Sequence, residues 1–204
     1  RAERLGDAGA ISASPLVAEG VERWLDGGRP TDEAKLAIWI ENMVEQYHYS
    51  GASLADPSGE VLLAVGRTGR LTPPGMAGVV EALARRSPLL TDLHENAGGT
   101  PHVDAIAPIF TASDPSGTAI AVAILHSELS EFLHPLTQSW PTPSETAEVI
   151  LVRPDGDRVL FLTEPHGRTS SALHLTVPMT NVDLPTVMAV QGARDLVQAA
   201  DYRG

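Results

Sequence analysis

Three stretches of this chain repeat one device: a β-rich run, a tight turn made of Pro, Asp and Gly, and a second β-rich run. They cover residues 52–65, 110–122 and 149–162. Their turns read Asp56-Pro57-Ser58-Gly59, Asp114-Pro115-Ser116-Gly117 and Pro154-Asp155-Gly156-Asp157. Proline presets φ for a turn position and glycine accepts φ > 0, so each stretch predicts a β-hairpin from local chemistry. The hairpins are irregularly spaced, which excludes a solenoid.

What lies between the hairpins completes the class. Residues 1–26 predict a long N-terminal helix with a loose apolar stripe through Leu5, Ala8, Ile11, Val17, Val21 and Trp24. Pro15 kinks or breaks it, and Gly27-Gly28 ends it. A second helix starts at Pro30-Thr31-Asp32-Glu33, which offers an N-cap and acidic residues in the first turn. Residues 75–86 predict an amphipathic helix, 89–93 a short strand, 102–110 a longer one, and 127–139 a helix that Pro135 interrupts. The order strand–strand–helix–strand–strand–strand over 49–126, with helices on both sides, is an α+β arrangement: a mostly antiparallel sheet with segregated helices. Trp140-Pro141-Thr142-Pro143-Ser144 reads as a stiff linker, with Trp140 a wedge between units. A second unit follows, with the third hairpin, a strand at 173–177 and helical pieces at 184–190 and 193–200. Three segments are expected: N-terminal helices at 1–48, a first sheet unit at 49–139 and a second at 140–204. By analogy with the first unit, the second lacks its last strands.

Composition removes several functions. The chain has 204 residues, 14 basic against 26 acidic side chains, and no cysteine. The acidic balance argues against binding nucleic acid, which needs a basic face. Without cysteine there is no disulfide framework, no Cys-ligated zinc and no thiol nucleophile. Residues 1–139 hold 18 of the acidic and 9 of the basic residues. A nucleophile elbow, a phosphate loop, a dinucleotide fingerprint and the HExxH pattern are all missing from the sequence. It begins with Arg1 rather than Met and stops directly after Asp201-Tyr202-Arg203-Gly204, as expected of a segment cut from something longer.

Several stretches carry a resemblance. They are Gln138-Ser139-Trp140-Pro141-Thr142-Pro143-Ser144 with Thr146-Ala147-Glu148, Leu151-Val152-Arg153 with Gly156-Asp157, Val159-Leu160-Phe161-Leu162, Asp104-Ala105-Ile106-Ala107-Pro108-Ile109, and Asp201-Tyr202-Arg203-Gly204. With two N-terminal helices and tandem antiparallel units, the chain resembles the double PAS-like (double Cache) extracellular sensor domain of bacterial membrane receptors. The resemblance implies a stalk and lateral helix, then a membrane-distal sensor unit, then a second unit truncated at its C-terminal end. It further implies a periplasmic segment of an inner-membrane protein, tethered to the membrane and homodimeric. Such a segment detects a small molecule or a periplasmic protein and passes the signal to a histidine kinase or a diguanylate cyclase. No catalysis and no cofactor are expected of the segment itself. Two other classes stay open: a soluble hydrolase using a His/Asp cluster, and a dimerisation scaffold that binds no ligand.

The candidate ligand-binding residues are Tyr47, Tyr49, Arg67, Arg70, His94, His102 and Asp104. Tyr47, His48 and Tyr49 form an aromatic patch where the second helix meets the first strand, suited to a pocket wall or to core packing. Arg67 and Arg70 follow the second strand, where the resemblance puts groups that face a carboxylate-bearing ligand; the alternative is a solvated loop. His94, His102 and Asp104 flank a flexible Asn96-Ala97-Gly98-Gly99 turn. They are groups to grip a ligand, or two imidazoles and a carboxylate for a metal. The plainer expectation is a set of water-exposed loop residues. No metal is expected, because loop histidines eight residues apart share no fixed face.

Overall fold

The computed structural model describes residues 2–27, 29–131, 149–165, 168 and 171–194. The chain divides into two units, Arg1–Leu133 and His134–Gly204.

The long N-terminal helix expected from the sequence is two helices, α1 (Ala2–Ser12) and α2 (Pro15–Leu25). Pro15 is the cause. It cannot donate to the preceding turn and instead opens the new helix, while Ser14 Oγ accepts a hydrogen bond from Val17 N at 3.4 Å. The next helix, α3 (Pro30–Gln46), likewise begins on a proline. Its cap is Arg29, just before the Pro30–Glu33 stretch expected to supply it, and the Arg29 N–H donates to Asp32 Oδ2 at 3.1 Å.

The first hairpin is β1 (Gly51–Ala55) and β2 (Val61–Gly66). Helix α4 (Pro73–Arg85) follows, then β3 (Leu89–Leu90) and β4 (His94–Glu95), two short strands where one was expected. The second hairpin is β5 (Pro101–Phe110) and β6 (Ala119–Glu128). The helix expected over 127–139 starts later, because β6 keeps its ladder to Glu128; residues 129–131 are helical and the remainder lies outside the described residues.

The two Asp-Pro-Ser-Gly turns close in the same way. Asp56 Oδ1 accepts from Ser58 N at 2.8 Å and Ser58 Oγ at 2.6 Å; Asp114 Oδ1 accepts from Ser116 N at 3.2 Å and Ser116 Oγ at 2.6 Å. Arg86, in the left-handed conformation that ends α4, donates to Gly117 O and Pro115 O and so ties the helix to the second turn.

The sheet runs β2-β1-β6-β5-β3, with β4 also paired to β5, and every pairing is antiparallel. Both faces are covered. Ala105, Ala107 and Ile109 of β5 and Ala121, Ala123 and Leu125 of β6 share a core with Ala8, Ile11, Val21, Leu36 and Ile40 of α1–α3. The helices placed by sequence in a separate 1–48 segment therefore belong to the sheet unit, and small alanines on the strands let them come close. The opposite face carries Ile106, Val122 and Ile124 against Val79 and Ala82 of α4. Side chains alternate along a strand, so the residues continuing this second face are His102 and Asp104 on β5 and His126 and Glu128 on β6. The face is apolar where α4 covers it and polar where α4 begins.

The second unit holds the third hairpin, β7 (Val152–Asp155) and β8 (Arg158–Phe161), and then β9 (Thr176–Pro178) beside β8. The strand expected at 173–177 starts late, because Leu173 has φ 61° and turns the chain. Val159, Phe161 and Val187, the last from α5 (Pro185–Val190), are fully buried. Residues 193–194 are not helical, and the rest of the helical piece expected at 193–200 lies outside the described residues, as do the Trp140 linker and Asp201-Tyr202-Arg203-Gly204.

Candidate functional site

Hairpin register brings the polar residues together. In the β5/β6 ladder Asp104 is opposite His126, and in the β4/β5 ladder His94 is opposite His102. The expectation that His94, His102 and Asp104 are exposed loop residues is overturned: Asp104 is 1% exposed, and His94, His102 and His126 are 5–7% exposed. The ground for expecting no metal also fails, since strand pairing gives the two histidines a common place despite their separation in sequence.

Asp104 is the centre. Its backbone is fixed by Thr91, whose Oγ1 accepts from Asp104 N at 2.9 Å and whose N–H donates to Asp104 O at 2.9 Å. His126 Nδ1 lies 2.7 Å and His102 Nε2 3.2 Å from Asp104 Oδ1, and His94 Nε2 lies 3.4 Å from Oδ2. Burial pushes this carboxyl upward, but His102, His126 and His94 outweigh it and hold Asp104 well below the usual carboxylate range. Burial likewise disfavours a charged His94, yet Asp104 and the Asp92 carbonyl raise it above the ordinary imidazole value. The N-terminus of α4 stands over the same carboxylate, for a Cβ at Gly75 would lie 3.4 Å from Asp104 Oδ2.

A cavity of about 440 Å³ opens on this cluster, and its lining includes His102, Asp104, His126, Glu128, Arg67, Arg70 and Thr72. The 67–72 loop and the 96–98 turn supply other parts of its wall. Thr72 is the N-cap of α4, but its side chain does not cap; among the described residues its buried Oγ1 has no hydrogen-bond partner. Arg67 pairs with Glu128 at 3.3 Å and Glu131 at 3.0 Å, so its charge is largely matched before any ligand arrives. The cavity thus presents two guanidiniums and two carboxylates, a lining suited to a small polar molecule bearing both signs.

The two tyrosines are not at this site. Tyr47 is 48% exposed on the helical side, and Tyr49 is buried there with its hydroxyl donating to Asp7 Oδ2 at 2.6 Å. Arg4 stacks over the Tyr49 ring at 4.0 Å. Of the expected residues, Arg67, Arg70, His94, His102 and Asp104 come together. His126 and Thr72 are the additions, and neither belongs to any sequence motif.

Ser53 Oγ lies 3.0 Å from His126 Nε2, so Ser53, His126 and Asp104 are connected in the order of a hydrolytic triad. Ser53 is 2% exposed within β1 and is not part of the cavity lining, so a substrate carbonyl has no approach to it. In this setting His126 orients Asp104 and Ser53 orients His126.

The chain matches no protein-family model and no curated protein sequence. Solved structures align with it over most of its length. The extracellular domain of a protein named as a histidine kinase aligns with TM-score 0.51 at 10% identity, over 76% of each chain. A domain of a Vibrio parahaemolyticus protein named to the sensory box/GGDEF family aligns with TM-score 0.48 at 10% identity, over 76% of this chain and 80% of that one. The ligand-binding domain of the Pseudomonas aeruginosa amino acid chemoreceptor PctC, solved with GABA, aligns with TM-score 0.47 at 19% identity, over 95% and 86%. The α+β architecture is shared with the extracellular domain of that histidine-kinase-named protein. Among the described residues no helix is long and apolar enough to cross a membrane.

Proposed function

We propose that this chain is the periplasmic sensing segment of a membrane receptor and that its first unit binds a small polar molecule in the cavity above Asp104. The observation that carries this reading is a cavity of about 440 Å³ on a sensor-type sheet whose lining includes a buried hydroxyl, Thr72 Oγ1, without a partner among the described residues. Buried polar groups are nearly always satisfied, so a lone one lining a polar cavity points to a ligand atom. Arg70 takes a carboxylate on this reading, and Glu128 takes a cationic group. Occupancy biases one of two packings of the sheet against α1, which lies on β5 and β6. A homodimer relays that bias across the membrane to a histidine kinase or diguanylate cyclase. The segment performs no chemistry of its own.

Thermal-shift and calorimetric screens against amino acids, amines and carboxylates, in the presence of a chelator, test the reading. At least one compound is expected to raise the melting temperature, and Arg70→Ala and Thr72→Val are expected to weaken it by about tenfold or more. Silence across the panel from a folded protein would leave the non-binding scaffold as the better account. Ester or amide turnover that is lost in Ser53→Ala would overturn the non-catalytic reading.

A further inference from the structure

We infer that His94, His102 and Asp104 form a binding site for one divalent transition-metal ion of the zinc class, with an open position toward the cavity. The argument starts from tautomers. His94 Nδ1 lies 3.0 Å from Asp92 O, and His102 Nδ1 lies 3.3 Å from Thr100 O. A backbone carbonyl only accepts, so each of these ring nitrogens carries the hydrogen. In the neutral ring the other nitrogen, Nε2, then has a bare lone pair. Both Nε2 atoms face the Asp104 carboxylate, which is itself an acceptor. With both rings neutral, three buried acceptors face one another, and His94 Nε2 has no hydrogen-bond partner among the described residues. Such an arrangement needs positive charge at its centre.

A metal ion supplies that charge with the observed spacing. Two ligands about 2.0–2.1 Å from a tetrahedral ion lie about 3.3 Å apart. The Nε2–carboxylate separations are 3.4 Å for His94 and 3.2 Å for His102, and the three donor atoms all lie within 4.8 Å of one another. The surroundings are also those of metal ligands. Each imidazole donates its second ring N–H to a backbone carbonyl, and the carboxylate is oriented by His126 and held at its backbone by Thr91. Two imidazole donors in a set of three suit zinc, nickel, copper and iron rather than magnesium or calcium. Three protein ligands leave a fourth position, and His102 and Asp104 both line the cavity into which it opens. The three ligands are oriented by Asp92, Thr100, His126 and Thr91, so the site stands whether or not the cavity senses an organic ligand.

The test uses the whole chain, stripped with a chelator and titrated with zinc chloride alone. One zinc per chain is expected, with a higher melting temperature that magnesium does not reproduce. His94→Ala and His102→Ala are each expected to weaken uptake by about a hundredfold, while His48→Ala, away from the cluster, leaves it unchanged. Cobalt(II) substitution provides a readout that does not depend on the variants folding: the visible spectrum of a tetrahedral nitrogen/oxygen site is expected on the unaltered chain. Failure of the folded, unaltered chain to take up zinc would mean that protons fill the cluster instead and would overturn the site. So would a cobalt spectrum without tetrahedral bands, or uptake that survives in folded His94→Ala and His102→Ala chains. Because the small-molecule screen is run with chelator and this titration without organic ligand, either reading can fail alone.

Discussion

At the scale of single residues, Tyr49 shows how a plausible site residue becomes a structural one. Its ring lies in the helical core, its hydroxyl donates to Asp7, and Arg4 covers its face. Burial, and next the Asp7 hydrogen bond, raise the phenol above its ordinary value. A raised value in the folded state means that folding favours the protonated phenol. This contribution is complete below the unfolded value of about 10 and is lost as pH rises from there toward the folded value. Tyr49→Phe is expected to cost about 1–2 kcal/mol near neutral pH and to flatten the alkaline loss of stability, both read from urea melts over a pH series. The aromatic patch at 47–49 was visible in the sequence, but not the side of the sheet it served, because that depends on the path of α1. His126 was hidden for a different reason. It sits in an apolar run and matches no motif, yet the hairpin register counted outward from the Asp114 turn puts it opposite Asp104. Alternation along both strands then groups it with His102 and Glu128.

At the scale of elements, what the sequence made legible follows the range of the interactions. The hairpins were readable because their turns are local chemistry, and the break at Pro15 because a proline inside a helix has one consequence. The pairing of β4 with β5 was not readable, since two residues are too few for any periodicity to register. Helix α4 was placed almost correctly, but its closeness to the sheet was not evident. A Cβ at Gly78 would lie 2.6 Å from Ile106 Cδ1 and 2.9 Å from Thr91 Cγ2. Thr91 is the residue that fixes the backbone of Asp104, so crowding here reaches the site. Alanine favours a helix over glycine by about 1 kcal/mol, while overpacking costs about 1–3 kcal/mol. Gly78→Ala is therefore expected to give a net loss of about 1 kcal/mol in chemical denaturation. It is also expected to shift the imidazole resonances of His94 and His102, which no simple loss of helix propensity would move.

At the scale of the molecule, the first unit draws both of its cores from its own residues, between Ala8 and Leu125. The second unit has a separate, smaller buried group around Val159, Phe161 and Val187. Calorimetry of the whole chain is expected to resolve two transitions, and residues 1–133 expressed alone are expected to reproduce the larger one; a single cooperative transition would contradict this division. The strand order has a mechanical consequence as well. The chain comes into the sheet on β1 and leaves it on β6, and these strands are neighbours, with Gly51 opposite His126 and both Ser50 N and Ser50 Oγ donating to His126 O. Tension drawn between the incoming and outgoing segments is not spread over the ladder as shear. It falls first on one rung, as force falls on the leading tooth of a zip. That rung belongs to His126, whose ring grips Asp104, so a pull on the ends of the unit is delivered to the floor of the cavity, and stiffening that floor resists the pull.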